Sequence, residues 1–221
     1  MLGEVTPPVI PATLLDARGT SISALQFPPE SVLVFAGVPG AGKSTALHRL
    51  FAADPTATAP VLSSSGALVL DSHQSRNRLR PRLGRVPYGL WRPVVHLAHY
   101  RAINNAMRTT RSPVAIHDCA TFGWSRAVLA KWARDHDRQL HLVLIDVPAD
   151  AARQGQIVRG RRVNSIAFAG HVRRWERLMH QLGAREAPAT QPNLLRDITS
   201  ATIVDRETLA GIASVTFAKA N

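Results

Sequence analysis

Residues Gly37-Val38-Pro39-Gly40-Ala41-Gly42-Lys43-Ser44 match GxxxxGK[ST], and no other stretch of the chain restricts its fold as much. The pattern binds phosphate only between a strand and a helix. Both flanks fit: Ser31–Ala36 is a β-prone apolar run, and Thr45–Phe51 continues with helical spacing. The glycines let backbone N–H groups turn inward around a polyphosphate, and the helix N-terminus beyond adds a favourable dipole. Lys43 is placed to reach the β and γ phosphates, and Ser44 to ligate Mg²⁺. The alternative is a Gly-rich turn that holds no ligand. The pattern in its context implies a nucleoside triphosphate, held by Gly37, Val38, Pro39, Gly40, Ala41, Gly42, Lys43, Ser44 and Thr45.

Strand and helix patterns alternate beyond the loop, which predicts a parallel α/β sheet. Residues 1–30 read as an N-terminal arm, with a short strand near Ile22–Phe27. Residues 31–221 read as one domain with predicted strands at 31–36, 67–71, 113–118, 140–146 and 201–205. Helices are predicted at 43 to about 53, 94 to about 108, 124–136, from Pro148 onward, 167–182 and 207–217. Residues 76–92 read as a basic segment broken by Pro and Gly.

With 221 residues, the chain is long enough for a core that needs no staples. The single cysteine, Cys119, excludes an internal disulfide and fits a reducing compartment. The N-terminus lacks a basic region followed by an apolar core, and no apolar run approaches the roughly 18–20 residues of a membrane span. A cytoplasmic location without a membrane partner is the expectation. The net charge of +12 is almost all arginine, with lysine only at 43, 131 and 219. Arginine suits bidentate phosphate contact, and a basic field attracts anions. The charge alone does not separate a nucleic acid from a phosphorylated metabolite.

Ligands of open α/β sheets collect at the C-terminal strand ends. Asp71 ends one strand and is the candidate base for an acceptor hydroxyl; a helix-capping role is the alternative. Asp118 ends another after an apolar run, the pattern of a Mg²⁺-holding aspartate. Cys119 follows it where many hydrolytic ATPases carry glutamate, which favours transfer to a bound acceptor over hydrolysis. Arg153, Arg159 and Arg162 lie in an Arg-rich stretch, about 149–166, loosened by Gly155 and Gly160, as a closing lid requires. A solvated basic face is the alternative. A second basic cluster, Arg76 to Arg85 with Tyr88, Trp91 and Arg92, suits a single-stranded nucleic acid, an anionic small molecule or solvent. The histidines show no zinc spacing.

Gly37–Thr45, Asp71 with Arg76, Asp118 and the arginines of 153–162 together resemble the zeta-toxin, chloramphenicol phosphotransferase and polynucleotide 5′-kinase group of P-loop kinases. They also resemble bacterial proteins described only as AAA family ATPases. The resemblance runs over about 31–205, and only the P-loop is a highly specific match. It implies a P-loop NTPase three-layer sandwich with a five-stranded, mainly parallel sheet and an Arg-rich lid. It also implies ATP and Mg²⁺ as cofactors, with Asp71 activating the acceptor, Arg76 positioning it and the lid arginines clamping the nucleotide. Arg153, Asp205 and Arg206 would then border the base. The Asp71–Arg76 spacing exceeds the Asp-x-x-Arg of polynucleotide kinases, and 77–110 aligns with no acceptor site. The expected activity is γ-phosphoryl transfer to a small-molecule or nucleotide hydroxyl. The alternatives are a nucleic-acid 5′-kinase or binder and a non-kinase ATPase switch.

Overall fold

A computed structural model describes residues 8–11, 13–158, 164–183 and 197–219. The predicted parallel sheet is present and is wider than five strands. Its central strand, β3 (Val32–Ala36), is buried along its whole length and feeds the P-loop. On one side lie β6 (Val114–His117), β5 (Leu68–Leu70) and β4 (Val61–Leu62); on the other lie β7 (Leu140–Ile145), β8 (Ser200–Val204) and β1 (Leu14–Asp16). All pairs are parallel except β4 with β5. Near-continuous apolar runs such as Val32–Ala36 belong to strands covered on both faces. The two extra strands stand at the sheet edges. They are only three and two residues long, too short to show a period.

Helix α1 (Lys43–Phe51) follows the P-loop, and α2 (Ser72–Leu83) follows β5. Next come α3 (Tyr88–Thr109), α4 (Gly123–Asp135), α5 (Ala149–Val158) and α6 (Ser165–Gly183). The segment read as broken at 76–92 is therefore helical for most of its length. Asp71 and Gln74 form a reciprocal cap that starts α2. Pro81 stands in the last turn of α2 and Pro93 in the second turn of α3, and neither ends its helix.

The C-terminal helix predicted at 207–217 is corrected. Helix α7 (Arg206–Gly211) is short, and Ser214–Phe217 is a strand, β9, paired in parallel with β2 (Ala24–Phe27). Val215 is buried with Leu25 while Ser214 and Thr216 are exposed, the two-residue period of a half-buried strand. The N-terminal segment thus contributes β1 to the main sheet and β2 to this ribbon. Phe217 joins the ribbon to the core, its ring 6.5 Å from Phe51 and 6.4 Å from Phe27.

Phe51 also meets Phe35 edge-on at 6.0 Å and is 1% exposed. It therefore ties α1, the sheet and the terminal ribbon together. Phe51→Ala should destabilise the fold by about 3–5 kcal/mol, read as a lower urea midpoint with little change in slope.

Candidate functional site

Gly37, Gly40 and Gly42 carry positive φ, at 154°, 93° and 107°. Gly40 is required for a second reason: a Cβ there would stand 2.0 Å from the Ala152 carbonyl oxygen of α5. Gln156 of the same helix donates to the Pro39 carbonyl at 3.0 Å. The first part of the predicted lid is therefore a helix packed directly on the loop. Lys43 is 3% exposed, and its ammonium donates to the carbonyls of Gly37 at 2.7 Å and Val38 at 2.9 Å.

The two strand-end carboxylates occupy different surroundings. Asp71 is 3% exposed and caps α2, its Oδ1 accepting from the His73 amide at 2.9 Å. Its Oδ2 is buried without a hydrogen-bond partner. Burial pushes its pKa up, but the His117 and His73 imidazoles, the His73 amide and the Ser44 hydroxyl outweigh that and hold it below the usual carboxylate range. An ionised carboxylate with a free buried oxygen beside the P-loop serine is a hard oxygen pair. It suits Mg²⁺, which commonly uses one or two protein ligands plus phosphates. Among the described residues, no group of three or more His, Cys, Asp or Glu side chains is placed to hold a metal by itself.

Asp118 faces elsewhere. Its Oδ2 accepts from the Tyr100 hydroxyl at 2.9 Å and its Oδ1 from the Ala120 amide at 2.6 Å. It lines a cavity of about 810 Å³ between α3, α4 and α6. Tyr100, Phe122, Trp124 and Trp132 form aromatic walls. Arg92, His96 and His171 are the polar groups of the cavity nearest its α3 and α6 sides. Cys119, also in the lining, is half-buried; desolvation raises its thiol pKa, and the Lys43 charge opposes that rise. The Gly37 amide donates to the Cys119 carbonyl at 3.1 Å, so the cavity borders the P-loop. Its volume and apolar walls fall in the range of small-molecule sites.

His117 stands between the two carboxylates. Its Nδ1 is 3.7 Å from Asp71 Oδ1, and its ring also lines the cavity. Burial lowers its pKa to about 3, against the pull of Asp71 and with the help of Lys43, so the ring is neutral at pH 7. His99 is fully enclosed, and its Nε2 donates to the His117 carbonyl at 2.9 Å, fixing that strand end.

Residues 32–188 match a family profile described as an AAA domain. The chain belongs to this AAA domain family, AAA_33. Its sheet order and P-loop give it a P-loop α/β fold with a mainly parallel sheet. No match is found among curated proteins. Similar solved structures include a chain of the PezAT chromosomal toxin–antitoxin system of Streptococcus pneumoniae, at 14% identity and TM-score 0.46 over 72% of this chain and 65% of that one. This AAA domain therefore spans about two thirds of the PezAT chain. A tunicamycin resistance protein of Deinococcus radiodurans matches at 17% identity and TM-score 0.42, covering 69% of this chain and 82% of that one. A gluconokinase of Sinorhizobium meliloti matches at 18% identity and TM-score 0.38, covering 84% and 93%.

The AAA domain brings Lys43, Ser44 and Asp71 together and sets Asp118 in the neighbouring cavity. Arg76 does not line that cavity; its guanidinium lies over the Tyr88 ring at 4.5 Å. Arg153 stacks on Phe168 at 5.0 Å on the exposed side of α5. Arg159 and Arg162 lie outside the described residues. Asp205 caps α7 through the Thr208 amide and accepts from the Gly19 amide, both at 2.7 Å. Arg206 donates to the Ala151 carbonyl at 3.3 Å, which places it against α5. Sequence reasoning named Arg92 only as part of the second basic cluster and missed Tyr100, Trp124 and Trp132 as site residues. Arg92, His96 and Tyr100 recur every four residues, a one-face helical stripe that was readable.

His141 in β7 and His171 on α6 are buried, and burial lowers each pKa to about 4; Lys43 and Arg92 add to the shift at His171. The folded state thus refuses protons that the unfolded chain takes up below about pH 6.5. Stability should be full above that pH and fall toward pH 4, by up to about 1.4 kcal/mol per pH unit for each histidine. Urea midpoints measured at pH 7.5, 6 and 5 check this; a midpoint independent of pH contradicts it.

Proposed function

We propose that this AAA domain is an ATP- and Mg²⁺-dependent phosphotransferase that moves the γ-phosphate onto a hydroxyl of a small, ring-bearing molecule. The observation that carries the proposal is the aromatic cavity that borders the P-loop through Cys119, with a carboxylate in its lining. A hydrolase has no need of an apolar chamber there, and Cys119 stands where a water-activating glutamate would follow Asp118.

The loop amides and Lys43 hold the β and γ phosphates. Ser44 and Asp71 are the residues that would hold Mg²⁺; the orphaned Oδ2 of Asp71 supports this. Held there, Mg²⁺ would neutralise charge on the phosphate oxygens. The geometry favours exchanging the two carboxylates relative to the sequence expectation, with Asp118 facing the acceptor. Its hydrogen bond from Tyr100 leaves further lone pairs free to accept from an acceptor hydroxyl. The acceptor oxygen forms a bond to the γ-phosphorus as the bond to the β-phosphate oxygen breaks. ADP leaves, and the acceptor proton passes to Asp118. Arg153, with Arg159 and Arg162 beyond it, would stabilise the moving phosphoryl group, and Arg206 beside α5 would border the nucleotide base. Arg76 would act on the acceptor only if it left its stack on Tyr88.

The cavity favours an uncharged or weakly charged acceptor over the anionic one that the net charge suggested. Its aromatic walls stack rings, and Arg92 and Asp118 supply the polar contacts that orient them. A transfer screen with γ-labelled ATP tests this directly. Label should pass to ring-bearing alcohols in preference to oligonucleotides. Trp124→Ala, at a site 59% exposed, should raise the acceptor KM about tenfold without unfolding the protein. Label found only on oligonucleotides, or only in free phosphate at a rate no acceptor changes, would overturn the proposal.

A further inference from the structure

A second, smaller cleft of about 260 Å³ lies between the start of α4 and the outer face of α6. Gly123 and Arg126 come from α4, and Arg174, Arg177 and Gln181 from α6. The α6 residues are three and four positions apart and so share one face. The first turn of α4 has no side-chain cap, so its leading N–H groups keep the positive end of the helix dipole open. No carboxylate lines the cleft, and among the described residues none forms an ion pair with these three arginines.

Arg126 supplies an independent observation. Its side chain is 8% exposed, and its Nε is buried without a hydrogen-bond partner. One terminal nitrogen donates to the Ala120 carbonyl, and the other lies 3.8 Å from where a Cβ on Gly123 would stand, at the open turn of α4. A buried guanidinium without a counter-charge is costly. Burial accordingly lowers its pKa, with no carboxylate nearby to restore it.

We propose that this cleft binds a phosphate-class oxyanion at a site separate from the P-loop. Three guanidinium groups, the Gln181 amide and the open N-terminus of α4 are the donors such an anion needs. The site also touches the acceptor cavity through its wall. Thr121 lines the cleft, and its hydroxyl meets Nδ1 of His171, a lining residue of the larger cavity, at 2.7 Å. Arg174 lies over the ring of Phe122, another lining residue of the larger cavity, at 4.3 Å. An anion here would therefore bear on the position of His171 and Phe122.

The test is calorimetric titration of the full chain with inorganic phosphate and, separately, with glycerol 2-phosphate, at constant ionic strength. Lys43→Ala removes the P-loop contribution and should leave this binding event intact. Arg177→Gln, on an exposed residue, should weaken it about tenfold, the loss expected for one charge-assisted contact. Arg126→Gln should weaken it further wherever circular dichroism shows that the variant folds. Arg101→Gln, an exposed residue of α3 outside the cleft lining with the same change in charge, should have no effect. Tighter binding of the free ion points to a phosphate effector, and tighter binding of the ester to a phosphorylated ligand; either supports the site. Loss of all binding in Lys43→Ala, or equal weakening by Arg101→Gln and Arg177→Gln, would overturn it.

Discussion

The ammonium of Lys43 is a positive charge buried at the sheet centre, and its surroundings are arranged to tolerate it. Its own loop supplies two carbonyls, which is possible only because the glycines turn the chain back over the side chain. Gly40 then lets α5 lie directly on the loop. The same charge reaches outward. It pushes His117 and His171 toward the neutral form and draws the Cys119 thiol down against the effect of burial. The neutral histidines and the ionised Asp71 leave the site with one buried cation and one buried anion separated by the P-loop serine. That arrangement suits a ligand bearing phosphate and a hard cation.

Arginine content is a poor guide to partners in this chain. Arg138 spans the carbonyls of Glu30, Met107, Thr110 and Ser112 and closes the end of the sheet away from the site. Arg49 ties α1 to the carbonyls of Leu209 and Ile212. Arg18 bridges Asp16 and Asp146, so the Asp ending β7 is a structural group whose other oxygen accepts from Trp175. These side chains satisfy backbone and carboxylate groups that the fold would otherwise leave unpaired. A net charge of +12 therefore overstates the basic surface open to a nucleic acid.

The parts of the fold visible in the sequence are the locally determined ones. The P-loop, the buried runs of β3 and β7 and the strand-end aspartates are each set by neighbours a few residues apart. The pairing of β2 with β9 joins segments at opposite ends of the chain, and its short strands carry no local mark of one another. The period of Ser214–Phe217 was readable, but it merged with the short helix before it. The cavity was half legible. Arg92, His96 and Tyr100 fall on one face of a helix, whereas Trp124 and Trp132 join them only after α4 packs beside α3. The distinction between Asp71 and Asp118 was invisible, because both end strands after apolar runs. Only packing shows that one meets Ser44 and the other opens into a chamber.

That division of the two carboxylates is the central claim, with Asp71 serving the nucleotide side and Asp118 the acceptor side. ATP affinity measured with and without Mg²⁺ separates them most directly. Asparagine still caps a helix, so Asp71→Asn should keep α2. It should remove most of the Mg²⁺-dependent gain in affinity, a loss of about tenfold, while Asp118→Asn keeps that gain. If Asp118→Asn removes the gain and Asp71→Asn leaves it intact, the assignment is contradicted.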